Sequence, residues 1–147
     1  MLKRYTFWLW AAVAFQLLTA FIHSISFLVT PVSNNETERQ MMELIATYKM
    51  DMGGGFHRTY DNLLTALSSC FSFLCLLGGL INAFLLKKKV PADLMRGILL
   101  INVLVFGACF AIMAIFTFLP PIVLTGLIFL SLTLSYLFVH GESVAAE

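Results

Sequence analysis

Charged residues are scarce in this sequence of 147 residues. Asp, Glu, Lys and Arg make up 12% of it, about half the share typical of soluble globular domains, while hydrophobic residues make up 60%. This shortage excludes an ordinary water-soluble domain and favours the lipid bilayer as solvent. The net charge of +1 gives no general attraction to nucleic acids, so no nucleic-acid partner is predicted.

Cysteines and nucleotide- or metal-binding motifs are also sparse. Cys70, Cys75 and Cys109 lie in apolar runs without a CxxC or Cys/His pair, so we interpret them as small apolar residues and predict no metal site. The glycines at 53–55 follow no predicted strand and lead to no GK[ST] ending, so we predict no phosphate-binding loop.

What the sequence does contain is long uncharged runs. Four of them, at about 7–29, 63–86, 97–119 and 122–139, have no Asp, Glu, Lys or Arg. A membrane-spanning helix needs roughly 20 apolar residues, and one charge near the bilayer centre costs at least ~2.5–3.5 kcal/mol on insertion scales. We therefore predict four spans. The first run is too long for the apolar part of a cleaved signal peptide, so we expect it to be retained.

The positions of the basic residues predict the orientation of these spans. Six lie on one side of the predicted membrane and three on the other: Lys3, Arg4, Lys87, Lys88, Lys89 and Arg96 against Arg39, Lys49 and Arg58. Cytoplasmic segments carry the excess of Lys and Arg, which predicts cytoplasmic amino and carboxyl termini. The connection around Pro120 and Pro121 predicts a tight hairpin of the last two spans.

The long outer loop, residues 30–62, shows its own periodicity. Asn35 and Glu38 have the spacing of a capping box, and an apolar stripe follows at Met41, Leu44, Ile45 and Tyr48. We predict a short amphipathic helix over 35–50 that lies on the outer membrane surface or caps the bundle. The glycines at 53–55 predict a flexible hinge after it.

Polar and small residues recur on one face of each of the first two spans. Their steps of three and four residues indicate helix faces that turn toward protein instead of lipid. These faces predict contact between the two helices or a shared cavity. In the first span the helix-packing candidates are Gln16, Thr19 and Ser26, with His23 and Thr30 on the same face; in the second they are Thr65, Ser72, Gly79 and Asn82, with Asn62, Ser69 and Cys75 beside them.

One group of residues is a candidate ligand site. His23 and Ser69 each lie seven residues inside the outer end of their spans, or about 10 Å at 1.5 Å per residue, so they are expected at similar depth. The outer rim of this site is predicted to carry His57, Arg58, Tyr60 and Asp61. An intramembrane histidine can bind haem, a metal or a quinone, or relay a proton. The alternative is a buried histidine bonded to a neighbouring hydroxyl.

The stretch from residue 52 to 64, MGGGFHRTYDNLL, precedes a helix of small residues at 65–79. With four spans and a long outer loop after the first, it resembles the small bacterial DoxX-like membrane proteins. That resemblance implies an inner-membrane helical bundle, and it carries over no functional residue.

These observations predict an all-α fold, an integral membrane four-helix bundle with an amphipathic helix in the outer loop, in a single domain over 1–147. The favoured function is a non-enzymatic accessory or self-associating bundle, alone or with a membrane-protein partner. The first alternative is a module that binds a lipophilic ligand, quinone or haem near His23. The second is a membrane enzyme that uses His23, His57 and Asp61. No cofactor is identified by the sequence.

Overall fold

The computed structural model describes residues 4–25, 29 and 32–144, with only the backbone at 140–144. Within these residues the chain forms five α-helices and one small antiparallel hairpin, which confirms the all-α prediction. The helices are α1 Tyr5–Ile25, α2 Glu36–Thr47, α3 Tyr60–Lys88, α4 Ala92–Phe116 and α5 Leu119–Val144; the strands are β1 Met50–Asp51 and β2 His57–Arg58.

Four of the helices in the described part are long and apolar enough to cross a membrane, as predicted. They are α1, α3, α4 and the Leu119–Val139 part of α5, with 21, 29, 25 and 21 residues. At 1.5 Å per residue each exceeds the roughly 30 Å of a bilayer's hydrocarbon core. Helices α3 and α4 begin three and five residues before the predicted spans, because hydropathy marks the lipid-embedded part of a helix and not its ends.

The connection between α4 and α5 is as short as predicted but lies three residues earlier in the sequence. It consists of Thr117 and Phe118, while Pro120 and Pro121 belong to the first turn of α5. Proline suits a first turn because the amide hydrogen it lacks has no intrahelical acceptor there. Thr117 ends α4 instead, since its backbone N–H and its hydroxyl both donate to the Met113 carbonyl, at 3.0 and 2.7 Å.

Lys89 ends α3 in a conformation usually reserved for glycine. Its φ is +49°, its N–H donates to the Leu86 carbonyl at 3.2 Å, and the next N–H, of Val90, donates to the Leu85 carbonyl at 3.5 Å. These two bonds form a Schellman motif. Pro91 then prevents the helix from continuing and precedes the first residue of α4.

Helix α2 begins at the predicted cap. The Asn35 side chain accepts a hydrogen bond from the Glu38 N–H at 2.8 Å, and the Glu38 carboxylate accepts one from the Asn34 N–H at 2.6 Å. The return bond thus reaches one residue further back than in a standard capping box. No residue of α2 is buried in the chain, so its stripe of Met41, Leu44, Ile45 and Tyr48 is left largely uncovered.

An ion-pair network stabilises the first turns of α2. The Arg39 guanidinium contacts the Glu36 carboxylate at 2.6 Å and the Glu43 carboxylate at 3.5 Å. The hydrogen bonds from Arg39 and then Gln40 lower the pKa of the Glu36 carboxyl, and the same contact with Glu36 raises the pKa of Arg39. All of these side chains are exposed.

The predicted glycine hinge is the turn of the hairpin formed by β1 and β2, in which Met50 pairs with Arg58 and Asp51 with His57. All three glycines at 53–55 have φ between +60° and +82°, where other residues are strained. The Asp51 carboxylate accepts from the Gly53 N–H at 2.8 Å, and the Phe56 N–H donates to the Gly53 carbonyl at 3.1 Å. Strands of two residues have too little periodicity to be predicted from sequence.

The chain divides into two compact units, residues 1–20 with 74–147 and residues 21–73. The first unit has a core drawn from four helices, whose fully buried side chains include Leu9, Cys75, Met95, Leu99, Phe106, Ile128 and Leu132. The second unit contains α2, the hairpin and the adjoining parts of α1 and α3. The prediction of a single domain stays a prediction.

Candidate functional site

Three amide side chains of the first unit form a cluster, which we call the amide cluster: Gln16 of α1, Asn82 of α3 and Asn102 of α4. The Asn82 Nδ2 donates to the Gln16 Oε1 at 3.1 Å and, more weakly, to the Asn102 Oδ1 at 3.4 Å. The Asn102 Nδ2 donates to the Ile98 carbonyl at 2.9 Å. Gln16 and Asn82 are fully buried, so one amide joins three helices.

Two glycines of α3 allow α1 to come this close. A Cβ at Gly78 would lie 2.7 Å from the Gln16 Nε2 and 3.1 Å from the Phe106 ring. One at Gly79 would lie 3.0 Å from the Leu17 side chain. Small residues permit such backbone approach between membrane helices, which is the packing role predicted for Gly79. Gly78 also fits steps of three and four, being three residues after Cys75 and four before Asn82, but the prediction took Gly79 at this turn instead.

Three buried polar atoms have no hydrogen-bond partner in the described part of the chain: the Gln16 Nε2, the Asn82 Oδ1 and the Thr19 Oγ1. Unpaired groups of this kind cost about 1–3 kcal/mol each in proteins. The amide cluster holds only amide side chains, which do not gain or lose protons near neutral pH. Chemically it can orient and join helices, but it supplies no acid, base or nucleophile.

His23 and Ser69 both lie in the second unit, and the contacts described for them are with different residues. The His23 ring packs edge-on against Phe71, with the ring centroids 5.3 Å apart and the planes at 88°. The Ser69 hydroxyl donates to the Thr65 carbonyl of its own helix at 2.7 Å. The predicted His23–Ser69 contact stays a prediction.

Other residues of the predicted polar faces differ in burial. Ser72 is buried and donates to the Ser68 carbonyl at 3.2 Å, whereas Thr65 is exposed. Thr19 is buried, and Ser26 lies outside the described residues. The residues of the predicted polar face of α3 are therefore exposed near the start of the helix and buried at Gly79 and Asn82.

The four rim candidates lie on two elements. His57 and Arg58 form β2, where the Arg58 guanidinium lies 5.8 Å from the centre of the Phe56 ring, and Tyr60 and Asp61 open α3. All four are exposed. Asp61 is in the first turn of α3, where a carboxylate is stabilised by the helix dipole. No group of three or more His, Cys, Asp or Glu residues suited to a metal ion occurs among the described residues.

A reciprocal cap just before α3 was also missed. The Asn62 N–H donates to the Thr59 hydroxyl at 3.2 Å, and the Thr59 N–H donates to the Asn62 Oδ1 at 3.3 Å. This is a capping box with asparagine in the glutamate position. Asn62, assigned from its spacing to the polar face, therefore uses its side chain to begin the helix. The Thr-x-x-Asn spacing was the available signal.

Together these features describe a multi-pass integral membrane protein in contact with lipid, whose buried polar residues join its helices. Comparisons of the chain with known protein families, with curated proteins and with solved structures found no match.

Proposed function

We propose that this protein is a non-enzymatic membrane bundle that works by self-association through α4. The observation that carries the proposal is the uncovered face of this helix. Only 11% of the most apolar stretch of α4 is buried within the chain, against 33% for α1 and for α5. Helix α4 thus has more surface free for lipid or a second copy than these two spans.

The uncovered face of α4 has a shape suited to another helix. Five exposed residues follow steps of three and four: Ile101, Leu104, Ala108, Ala111 and Ile115. This spacing is that of left-handed helix pairs, and small residues at its centre let two backbones approach. A purely lipid-facing surface needs no such depression, so Ala108 and Ala111 favour a protein partner. We call these five residues the α4 face.

Symmetry makes the proposed contact specific. All copies of a membrane protein inserted in one orientation are related by an axis along the membrane normal. In a two-fold dimer the α4 helices then run parallel, and residues near the axis meet their own counterparts. Ala108 and Ala111 are accordingly placed against Ala108 and Ala111 of a second copy.

The proposal also includes location and orientation. Six basic residues on the side of the α3–α4 connection against three in the α1–α3 connection support cytoplasmic termini. The architectural resemblance to DoxX-like proteins supports the bacterial inner membrane. Labelling intact cells with an impermeant thiol reagent tests the orientation: Ile45→Cys is expected to react from outside, and Lys88→Cys only after the membrane is opened.

Cysteine crosslinking tests the association. In a variant with the three native cysteines replaced, Ala108→Cys is expected to form a covalent dimer on mild oxidation in the membrane. Leu137→Cys, on an exposed position of α5, is the matched control and is expected to stay monomeric. Ala108→Leu with Ala111→Leu should fill the depression and convert the protein in detergent from dimer to monomer by light scattering.

Two results would contradict self-association. One is a wild-type protein that stays monomeric in both detergent and nanodiscs at all concentrations tested. The other is crosslinking of Leu137→Cys as efficient as that of Ala108→Cys, which would indicate random collision in the membrane.

A further inference from the structure

An open groove lies beside the first half of α4, in the first unit. It has a volume of about 610 Å³ and is bounded by α4 residues and by Tyr136 of α5. One part of its lining is polar, from Asp93, Arg96 and Tyr136; the remainder is apolar, from Leu94, Gly97, Ile98, Leu100 and Ile101. This division of polar and apolar lining matches an amphiphile, with a headgroup followed by a hydrocarbon chain.

Gly97 leaves space in the groove for the lipid's hydrocarbon chain. A Cβ built at this position meets no atom within 4 Å, whereas Cβ atoms at Gly107 and Gly126 on the same helix pair would touch phenylalanine rings at 2.9 and 3.2 Å. Gly97 is therefore not required for packing within the chain. A glycine in a helix interior lowers helix stability relative to alanine, and the uncovered space beside Leu94 and Ile101 can receive an acyl chain.

Arg96 supplies an anion-binding group. Its guanidinium carbon lies 5.8 Å from the centre of the Tyr136 ring, a cation–π distance that positions it at the polar part of the groove. The ion pairs among the described residues are those of Arg39, so Arg96 makes no ion pair with Asp93 and its guanidinium can donate to a ligand. A guanidinium donates two parallel hydrogen bonds to a phosphate, which favours a phosphodiester.

Net charge selects the type of lipid. Residues 87–96 carry four cations, Lys87, Lys88, Lys89 and Arg96, against the single carboxylate of Asp93. Basic residues at a membrane surface attract anionic lipids, and basic pockets between membrane helices bind anionic headgroups. We propose that this groove binds one anionic phospholipid, its phosphate at Arg96 and an acyl chain beside Gly97.

Titration of the purified protein with lipids in an uncharged detergent, with bound lipids counted by native mass spectrometry, tests this. Wild type is expected to bind phosphatidylglycerol about tenfold more tightly than phosphatidylcholine of the same chains, which corresponds to one well-placed ionic contact. Arg96→Gln should abolish that preference. Lys88→Gln removes the same charge nearby, where the ammonium lies 5.7 Å from the Phe84 ring, and should change it less than about twofold.

Gly97→Leu tests the acyl-chain part separately. Leucine is a better helix former than glycine and has free space here, so the variant is expected to fold and to bind both lipids more weakly because its side chain occupies the groove. Equal losses in Arg96→Gln and Lys88→Gln would indicate surface charge alone and overturn the proposal, as would unchanged binding by Gly97→Leu. Because Ile101 belongs to both the groove and the α4 face, the titrations are repeated in the Ala108→Leu, Ala111→Leu variant, so that lipid binding is also measured without the proposed dimer contact.

Discussion

At the scale of residues, Asn82 shows how a single side chain can organise membrane helices. Lipid offers no hydrogen bonds, so a polar residue in a span must find its partner within protein. Asn82 finds two, on α1 and α4, and two glycines of its own helix let those neighbours approach. The amide cluster therefore determines which faces meet, in addition to how tightly they pack.

A double-mutant cycle measures the Gln16–Asn82 bond. Asn82→Leu alone leaves the buried Gln16 Oε1 without its donor and is expected to destabilise the protein by about 1–2 kcal/mol. Adding Gln16→Leu removes the unpaired group, so the double variant should lose less than the sum. We expect a coupling of about 0.6–1.7 kcal/mol, the range of interhelical hydrogen bonds in membranes, from unfolding in mixed micelles. Additive losses would show that the two amides do not interact.

At the scale of elements, α4 and α5 are joined by a reciprocal arrangement. Gly107 of α4 faces Phe129 of α5, Gly126 of α5 faces Phe110 of α4, and the two phenylalanine rings stack with centroids 5.9 Å apart. Each helix thus provides a recess for the ring of the other. Mutual recesses of this kind fix the register of a helical hairpin as well as its spacing.

Alanine at two glycines of α4 should have opposite effects. Gly107→Ala places a Cβ 2.9 Å from the Phe129 ring and is expected to cost ~1–3 kcal/mol through overpacking. Gly97→Ala meets nothing and should stabilise by ~0.5–1 kcal/mol through helix propensity. Phe129→Leu should relieve part of the Gly107→Ala penalty. Equal effects of the two alanines in an unfolding titration would refute this packing.

Acid should loosen the start of α2. Because Arg39 lowers the Glu36 pKa in the folded helix, this carboxylate stabilises the helix above its unfolded pKa, and the stabilisation is lost as pH falls through the lower folded value. We expect α2 carbon chemical shifts in NMR to move toward coil as pH falls from 7 to 3. Glu36→Gln should start with less helix and show a smaller change. If Glu36→Gln titrated identically to wild type, the loss of helix in acid would not be caused by the Glu36 carboxylate.

Elements also show what the sequence could and could not predict. Four spans followed from the absence of charge, and the steps that selected Gln16 and Asn82 selected two residues that meet in the structure. The helix ends at Thr117 and Lys89, and the cap between Thr59 and Asn62, each depend on a pair of local hydrogen bonds, which hydropathy does not register. The equal depth predicted for His23 and Ser69 in the membrane likewise does not determine which residues the His23 ring contacts.

At the scale of the whole molecule, the bilayer accounts for the four long apolar helices but does not by itself determine their orientation. Once four helices span, each connection must stay at one surface, and an even number of spans returns the chain to the side where it began. Two opposite orientations satisfy the hydrophobic requirement equally well. Only the distribution of basic residues distinguishes them, so orientation is the property most sensitive to substitutions that leave every helix intact.

Neutralising the three lysines at 87–89 should therefore produce a mixed population. The substitutions to glutamine leave Lys3, Arg4 and Arg96 on the proposed cytoplasmic side, equal in number to Arg39, Lys49 and Arg58 on the other. Outside labelling of Ile45→Cys, complete in the parent, is expected to become partial. The matched control neutralises Arg39, Lys49 and Arg58, which widens the imbalance to six against none and should keep labelling complete. Complete labelling in both variants would mean that contacts among the helices, and not their flanking charges, decide the orientation.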